Sequence, residues 1–157
     1  MTTHAHRRIV TGLDADGRSC ILFDGPGGAV TEMGGTRVTA LWQTGGAPAD
    51  NSGTADAAQA FSFAFARGGS KFLIVEFVPS DDLVGPGMHA TDTLDYGILL
   101  SGRIDLLTET GETELAPGDL VVDRGILHGW RNRGPEVARM LFVNIDALPV
   151  GDGATVG

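Results

Sequence analysis

Short apolar runs separated by turn residues extend along most of the chain. The segments 8–11, 19–23 and 38–43 are rich in aliphatic and β-branched residues, and the Asp14 to Gly17 segment between the first two has the composition of a tight turn. The run Lys71 to Val78 is apolar on nearly every position, as in a strand covered on both faces. These patterns predict strands as the main elements.

The second half of the chain alternates strands and turns at short intervals. Gly-containing pairs such as Ser101-Gly102 and Pro117-Gly118 separate the apolar runs. No long amphipathic helical pattern interrupts the series, so the spacing predicts an all-β fold, closed as a barrel or a sandwich. The strands expected here are 96–100, 104–107, 113–115, 120–122, 125–130 and 138–145.

The 157 residues are enough for one domain with its own core. We divide 1–157 into N-terminal strands at 8–43, a mobile surface loop at 44–60, a barrel core at 71–146 and a frayed tail at 147–157. The loop is rich in Gly, Ala, Asp and Ser and lacks apolar periodicity. A short helix at 54–59 is an alternative for its last part.

Composition narrows the expected partners and location. A formal net charge of −9 disfavours nucleic acid and anionic membrane surfaces, which bind clustered Lys and Arg. No stretch approaches the ~20 apolar residues of a membrane span, and Met1 to Arg8 lacks the apolar run of a secretory signal. The single cysteine, Cys20, cannot form an internal disulfide, which fits a reducing compartment. We therefore expect a cytoplasmic protein.

Two histidines, His89 and His128, lie within the patterned region, whereas His4 and His6 lie near the N-terminus. Strand alternation places His89, Thr91 and Asp95 on one face if the parity continues through the bend near Thr93. An imidazole titrates near neutral pH, so His89 and His128 are the natural candidates for proton transfer.

The segment 87–102 resembles the first cupin motif, which reads His-x-His, three or four residues, Glu, six residues, Gly. His89 occupies the first His position, Thr91 stands at the second, Asp95 stands at the Glu position and Gly102 closes the motif.

The segment 118–132 resembles the second cupin motif, with Gly125, His128 and Asn132 at the expected mutual spacing. It is one residue shorter between Gly118 and Gly125, and Asp123 stands at the Pro position. The chain is thus similar to the small single-domain cupins. This resemblance implies a cupin-type double-stranded β-helix, or jelly-roll barrel.

The resemblance also implies a divalent metal held by His89, Asp95 and His128 on the inner wall of the barrel. Two imidazoles and one carboxylate suit non-haem iron, and with a water they suit zinc; manganese and nickel are further options, and no organic cofactor is expected. Two alternatives stay open. His128 or His89 transfers protons without a metal while Asp95 orients the ring, or the three side chains merely hydrogen-bond and fill polar space.

Five further residues are candidates for substrate binding, each with a structural alternative. Thr91 could hold a water or a substrate oxygen, and Trp130 could wall a pocket for a flat substrate or belong to the core. Tyr96 has the opposite parity to Asp95, which favours core packing over an acid role. Glu76 faces either the cavity or solvent, and Arg124 binds a substrate carboxylate at the rim unless Asp123 or Asp119 neutralises it.

We therefore expect a small-molecule enzyme, a lyase of the dehydratase or decarboxylase type that uses His89, His128 and Asp95 with or without a divalent metal. The alternatives are a non-haem Fe(II) dioxygenase and a non-catalytic ligand-binding cupin. We also expect a homodimer, in which the strands between Arg8 and Phe23 cover the sheet edge of a neighbour.

Overall fold

A computed structural model of the chain describes residues 6–152 and 154–156, so His4 lies outside the described residues. The described residues form strands and no helix, and the all-β prediction is confirmed. The alternative helix at 54–59 is not formed. The strands are β1 (Arg7–Leu13), β2 (Ser19–Pro26), β3 (Val30–Met33), β4 (Thr36–Thr44), β5 (Ser70–Phe77), β6 (Val84–His89), β7 (Thr93–Ser101), β8 (Ile104–Thr108), β9 (Gly111–Leu115), β10 (Leu120–Asp123), β11 (His128–Arg131) and β12 (Ala138–Asp146).

The strands pair antiparallel in two main sheets and one separate hairpin. The larger sheet has six strands in the order β10-β7-β12-β5-β4-β3, and the smaller has four in the order β6-β11-β8-β9. The hairpin consists of β1 and β2 alone. Within the described residues, no helix is long and apolar enough to cross a membrane.

The hydrophobic core lies between the two main sheets. Leu99 and Met140 of the larger sheet are fully buried, and they belong to the same cluster as Ile104 and Trp130 of the smaller sheet. Strand alternation supplies one apolar face to each sheet, and burial of these faces against each other stabilises the barrel.

Strand β6 is an element that the apolar pattern did not predict. It contains Gly85, Pro86 and Gly87, and both glycines have positive φ, +70° and +76°. Proline lacks an N–H and is tolerated at a sheet edge, where β6 lies. The strand therefore forms by its position beside β11, without a sequence pattern of its own. The short strand β3 was also not predicted.

The segment 45–69 between β4 and β5 is mostly exposed and is attached to the barrel at a few points. Ala58 is fully buried in a second cluster with Val38 and Leu73. Arg8 Nη2 lies 2.5 Å from Asp56 Oδ2, and this ion pair ties the segment to β1.

The tail after β12 also departs from the frayed end that the sequence predicted. The Ala147 N–H donates to Asp92 O at 2.9 Å, and the Val156 N–H donates to Ala90 O at 2.7 Å. These two bonds hold the described part of the tail beside the loop between β6 and β7.

Candidate functional site

A cavity of about 730 Å³ lies between the two main sheets, within the usual ~300–1,000 Å³ of small-molecule sites. The structure brings His89, Asp95 and His128 together on its wall, with Thr91 and Trp130 beside them. The catalytic and binding roles of these residues stay predictions, but the common wall that their chemistry requires is present.

His128 begins β11 and is held on one side by a buried carboxylate. Its Nδ1 lies 2.9 Å from Asp123 Oδ2 and 2.9 Å from Ile126 O. Two acceptors face one Nδ1 hydrogen, and the hydrogen bond goes to Ile126 O, so Asp123 acts on the ring mainly through its charge. Asp123 Oδ1 in turn accepts the N–H groups of Gly125 and Ile126. The Nε2 of His128 is therefore the nitrogen left for a substrate.

Asp123 and His128 shift each other toward their charged forms. Burial alone would lower the pKa of His128, but the Asp123 carboxylate and the Ile126 carbonyl outweigh it and raise the pKa above its ordinary value. Burial likewise opposes ionisation of Asp123, yet His128 and two backbone N–H groups lower its pKa. Each group therefore favours the charged form of the other.

His89 ends β6 and stands next to His128, with 4.4 Å between the ring centres. Its Nδ1 lies 2.9 Å from Gly87 O, so this nitrogen carries the hydrogen of the neutral ring. Burial lowers the pKa of His89, and the neighbouring positive charge of His128 lowers it further. The pKa values of the two neighbouring imidazoles are thus shifted in opposite directions.

Asp95 on β7 pairs directly with Asp123 on β10 and with Asn144 on β12. Its Oδ1 is buried without a hydrogen-bond partner. Burial raises the pKa of Asp95, and the Asp123 carboxylate raises it further despite contacts from Asn144 and Thr93. Asp95 and Asp123 are thus shifted in opposite directions, the pattern that separates a proton donor from an ionised partner.

Of the three predicted metal ligands, the two imidazoles lie next to each other. His89 and His128 offer two imidazole nitrogens, but the described residues contain no cluster of three or more His, Cys, Asp or Glu side chains able to hold a metal ion. The Asp123 carboxylate, which lies nearest to His128, faces Nδ1 and not the open Nε2. Metal binding by His89, Asp95 and His128 therefore stays a prediction without support from the geometry.

The predicted substrate-binding residues divide into two groups. Thr91 lines the cavity with its hydroxyl 2.8 Å from that of Thr93. Trp130 both lines the cavity and belongs to the core. Its ring lies edge-on to that of His128, with 5.9 Å between the ring centres, and it also packs against Phe77.

Tyr96, Glu76 and Arg124 lie away from this cavity. Tyr96 is 46 % exposed on the outer face of β7, so the core-packing interpretation is wrong. Glu76 faces outward from β5, where Arg139 Nε donates to it at 2.8 Å. Arg124 is exposed and does not line the cavity.

Asp123 and Lys71 also line the cavity and were not predicted as site residues. Asp123 stood at the Pro position of the second motif, and this departure was the available signal. Lys71 is the first residue of the apolar run of β5 and lines the same cavity. A lysine at the start of an otherwise apolar strand is the sequence feature that could have indicated it.

Comparison with known proteins identifies the family of the chain. A sequence model of the Cupin domain family matches residues 73–144. Phomopsin biosynthesis cluster protein D of Diaporthe leptostromiformis is 34 % identical over 161 residues, covering 96 % of this chain and 84 % of that protein. The cupin-domain-containing oxidoreductase fogC of Aspergillus ruber is 29 % identical over 152 residues, covering 91 % and 74 %.

Among solved structures, the Schizosaccharomyces pombe Cnp3 cupin domain superposes with a TM-score of 0.55 at 10 % identity, covering 91 % of this chain and 89 % of that domain. This likeness shows the fold. The chain belongs to the cupin family, and the predicted cupin barrel is confirmed.

Proposed function

We propose that this chain is a small-molecule enzyme of the lyase class, in which His89 and His128 transfer protons without a resident metal. The observation that supports it is the His89 ring 4.4 Å from the His128 ring, with Asp123 Oδ2 2.9 Å from His128 Nδ1. The relatives named for biosynthesis clusters support a small organic substrate.

The reaction that suits this pair is the dehydration of a β-hydroxy carbonyl compound. His89 Nε2 takes a proton from the carbon next to the carbonyl, and the C–H electron pair forms the new C=C bond. The C–O bond to the hydroxyl breaks with its electron pair on oxygen, and His128 protonates the leaving oxygen to release water. Asp95, in its protonated form, donates a hydrogen bond to the substrate carbonyl.

Proton transfer of this kind is tested with a panel of β-hydroxy acids and β-hydroxy ketones in D2O, followed by NMR. We expect an unsaturated product, with loss of the signal of the proton next to the carbonyl. The variants His89→Gln and His128→Asn should each lower the rate by about 100-fold or more. Arg124→Gln, outside the cavity, is the control and should keep the wild-type rate. Wild-type rates in both histidine variants would refute the proposal.

An oxidoreductase is the second candidate, because fogC is named as one. Such a reaction would need a redox-active group, and His89, His128 and Asp95 on the cavity wall are the residues that would hold it. Oxygen uptake is measured after addition of ferrous iron to protein treated with EDTA. Uptake that depends on iron, His89 and His128 would favour this candidate, whereas dehydration that survives EDTA would favour the lyase.

A further inference from the structure

The chain contains a single lysine, Lys71, and the fold buries it in the cavity wall. Lys71 lies on β5, is 4 % exposed and lines the same cavity as His89 and His128. Lysine is almost never fully buried without a partner, because its ammonium loses hydration. A buried lysine therefore calls for a group that compensates its charge.

The groups around the ammonium are all neutral. Nζ donates to the backbone carbonyls Ser62 O and Ala64 O. The rings of Phe61 and Phe65 lie 4.8 Å and 4.7 Å from it. These contacts use two of its three N–H donors, and no ion pair among the described residues includes Lys71. The positive charge is thus held in place but not neutralised.

The register places Lys71 on one row of the larger sheet with Asp95 and Asp123, which line the same cavity as the two histidines. Lys71 pairs with Asn144, Asn144 pairs with Asp95, and Asp95 pairs with Asp123. Adjacent strands lie about 4.8 Å apart, so the backbone of Lys71 is about 10 Å from that of Asp95 and about 14 Å from that of Asp123. The apolar side chains of Leu73, Val75 and Phe142 also line the cavity. Lys71 is thus separated from Asp95 and Asp123 along the cavity wall, which has apolar positions and also includes Asp92 and Asp146.

We propose that Lys71 binds a carboxylate of the substrate, so that the enzyme acts on organic acids with an apolar body between the acid group and the reacting carbon. This inference rests on the proposed function, since it takes the cavity to be the substrate site. Burial lowers the pKa of Lys71, and a bound carboxylate would favour the ammonium form again. A net charge of −9 on the chain repels anions in general, so a buried lysine in the cavity wall provides selective attraction at one point.

A purely structural role for Lys71, in which its contacts hold the segment from Phe61 to Phe65 against the barrel, predicts a different pattern of ligand binding. Such a role needs no anion and gives no preference between charged and neutral ligands. A binding site prefers a carboxylate over a neutral amide of the same shape.

Isothermal titration at pH 8 with 2-naphthoate and its neutral analogue 2-naphthamide separates the two roles. We expect the wild-type protein to bind the acid about tenfold or more tightly than the amide, as a charge-assisted hydrogen bond provides. Lys71→Met should abolish this preference, whereas Lys71→Arg should retain most of it. Arg124→Met removes one positive charge outside the cavity and should leave the preference unchanged. Thermal melts of each variant identify any loss of folding.

Equal affinity of the folded wild-type protein for acid and amide overturns the proposal without any variant, as does a preference that persists in folded Lys71→Met. His89→Gln and His128→Asn distinguish this inference from the proposed function. Loss of turnover in these variants with the acid preference intact supports both. Retained turnover in both histidine variants refutes the proposed proton transfer but does not contradict carboxylate binding by Lys71.

Discussion

Asp123→Asn is the change that tests most directly how the His128 imidazole is charged. The carboxylate lies 2.9 Å from His128 Nδ1, and its other oxygen accepts the N–H groups of Gly125 and Ile126. An asparagine fills the same volume but offers one acceptor oxygen in place of two. It can therefore keep the backbone contacts or face the imidazole with an oxygen, but not both.

The size of the effect follows from this contact. A hydrogen bond or close contact to a charged group contributes about 1.5–3 kcal/mol, and each ~1.4 kcal/mol of transition-state stabilisation is tenfold in rate. We expect Asp123→Asn to lower the dehydration rate roughly 10- to 100-fold. Removal of the negative charge should also lower the pKa of His128. Because the acid form of His128 is required, the alkaline limb of the pH–rate profile should move to lower pH.

The assay is the pH dependence of turnover, together with NMR titration of the imidazole signals of His89 and His128. The protonation equilibria of the two imidazoles are coupled, so each limb of the pH–rate profile reports on the pair and not on one residue alone. Asp81→Asn, at an exposed site, is the matched control. A rate within twofold of wild type and an unmoved alkaline limb would refute the role assigned to Asp123.

Stability should depend on pH through the same pair. Asp123 has a lowered pKa, so its contribution is present above the ordinary value of about 4 and is lost as the pH falls through the lowered value. His128 has a raised pKa, so its contribution is present below the ordinary value of about 6.5 and is lost as the pH rises through the raised value. The difference in unfolding free energy between wild type and Asp123→Asn should be largest between these two ordinary values and smaller at about pH 9.

Three further outcomes are expected. Asn132 is fully buried, its amide donates to Phe77 O and Glu136 O, and its oxygen accepts the Gly134 N–H. Asn132→Ala should therefore lower the free energy of unfolding, measured in urea, by about 3 kcal/mol or more. The control Asn51→Ala, at an exposed position, should lower it by far less. Gly125 has a φ of +76°, and a Cβ there would lie 2.4 Å from Thr91 O, so Gly125→Ala should lower both stability and turnover, whereas Gly111→Ala, with open space around it, should change neither. Light scattering should show a homodimer, and a monomer at micromolar concentration would contradict that expectation.

Strands with a clear hydrophobic pattern could be predicted from the sequence, and those formed by tertiary context could not. Strand β5 was predicted to within one residue at each end, because apolar positions fill nearly its whole length. Strand β6 was not predicted, since its glycines and proline give no alternation and its conformation depends on pairing with β11.

The candidate site shows the same division. The motif spacing identified His89, Asp95 and His128, because the two cupin-like motifs fix these positions along the chain without reference to strand pattern. The contribution of Lys71 depends on a row of pairs across four strands, which no local pattern contains. Tyr96 had the parity assigned to it, but parity alone does not tell which face of β7 is covered.

Both site imidazoles are oriented by the main chain. His89 Nδ1 faces the carbonyl two residues before it, Gly87 O, and His128 Nδ1 does the same with Ile126 O. Main-chain carbonyls persist when side chains are replaced, so the same nitrogen of each ring stays open whatever residues surround it. Substitutions elsewhere on the cavity wall can thus change which molecules fit while the same nitrogen of each histidine ring stays open. Redesign of selectivity can therefore begin from the apolar wall positions without changes to the histidine pair.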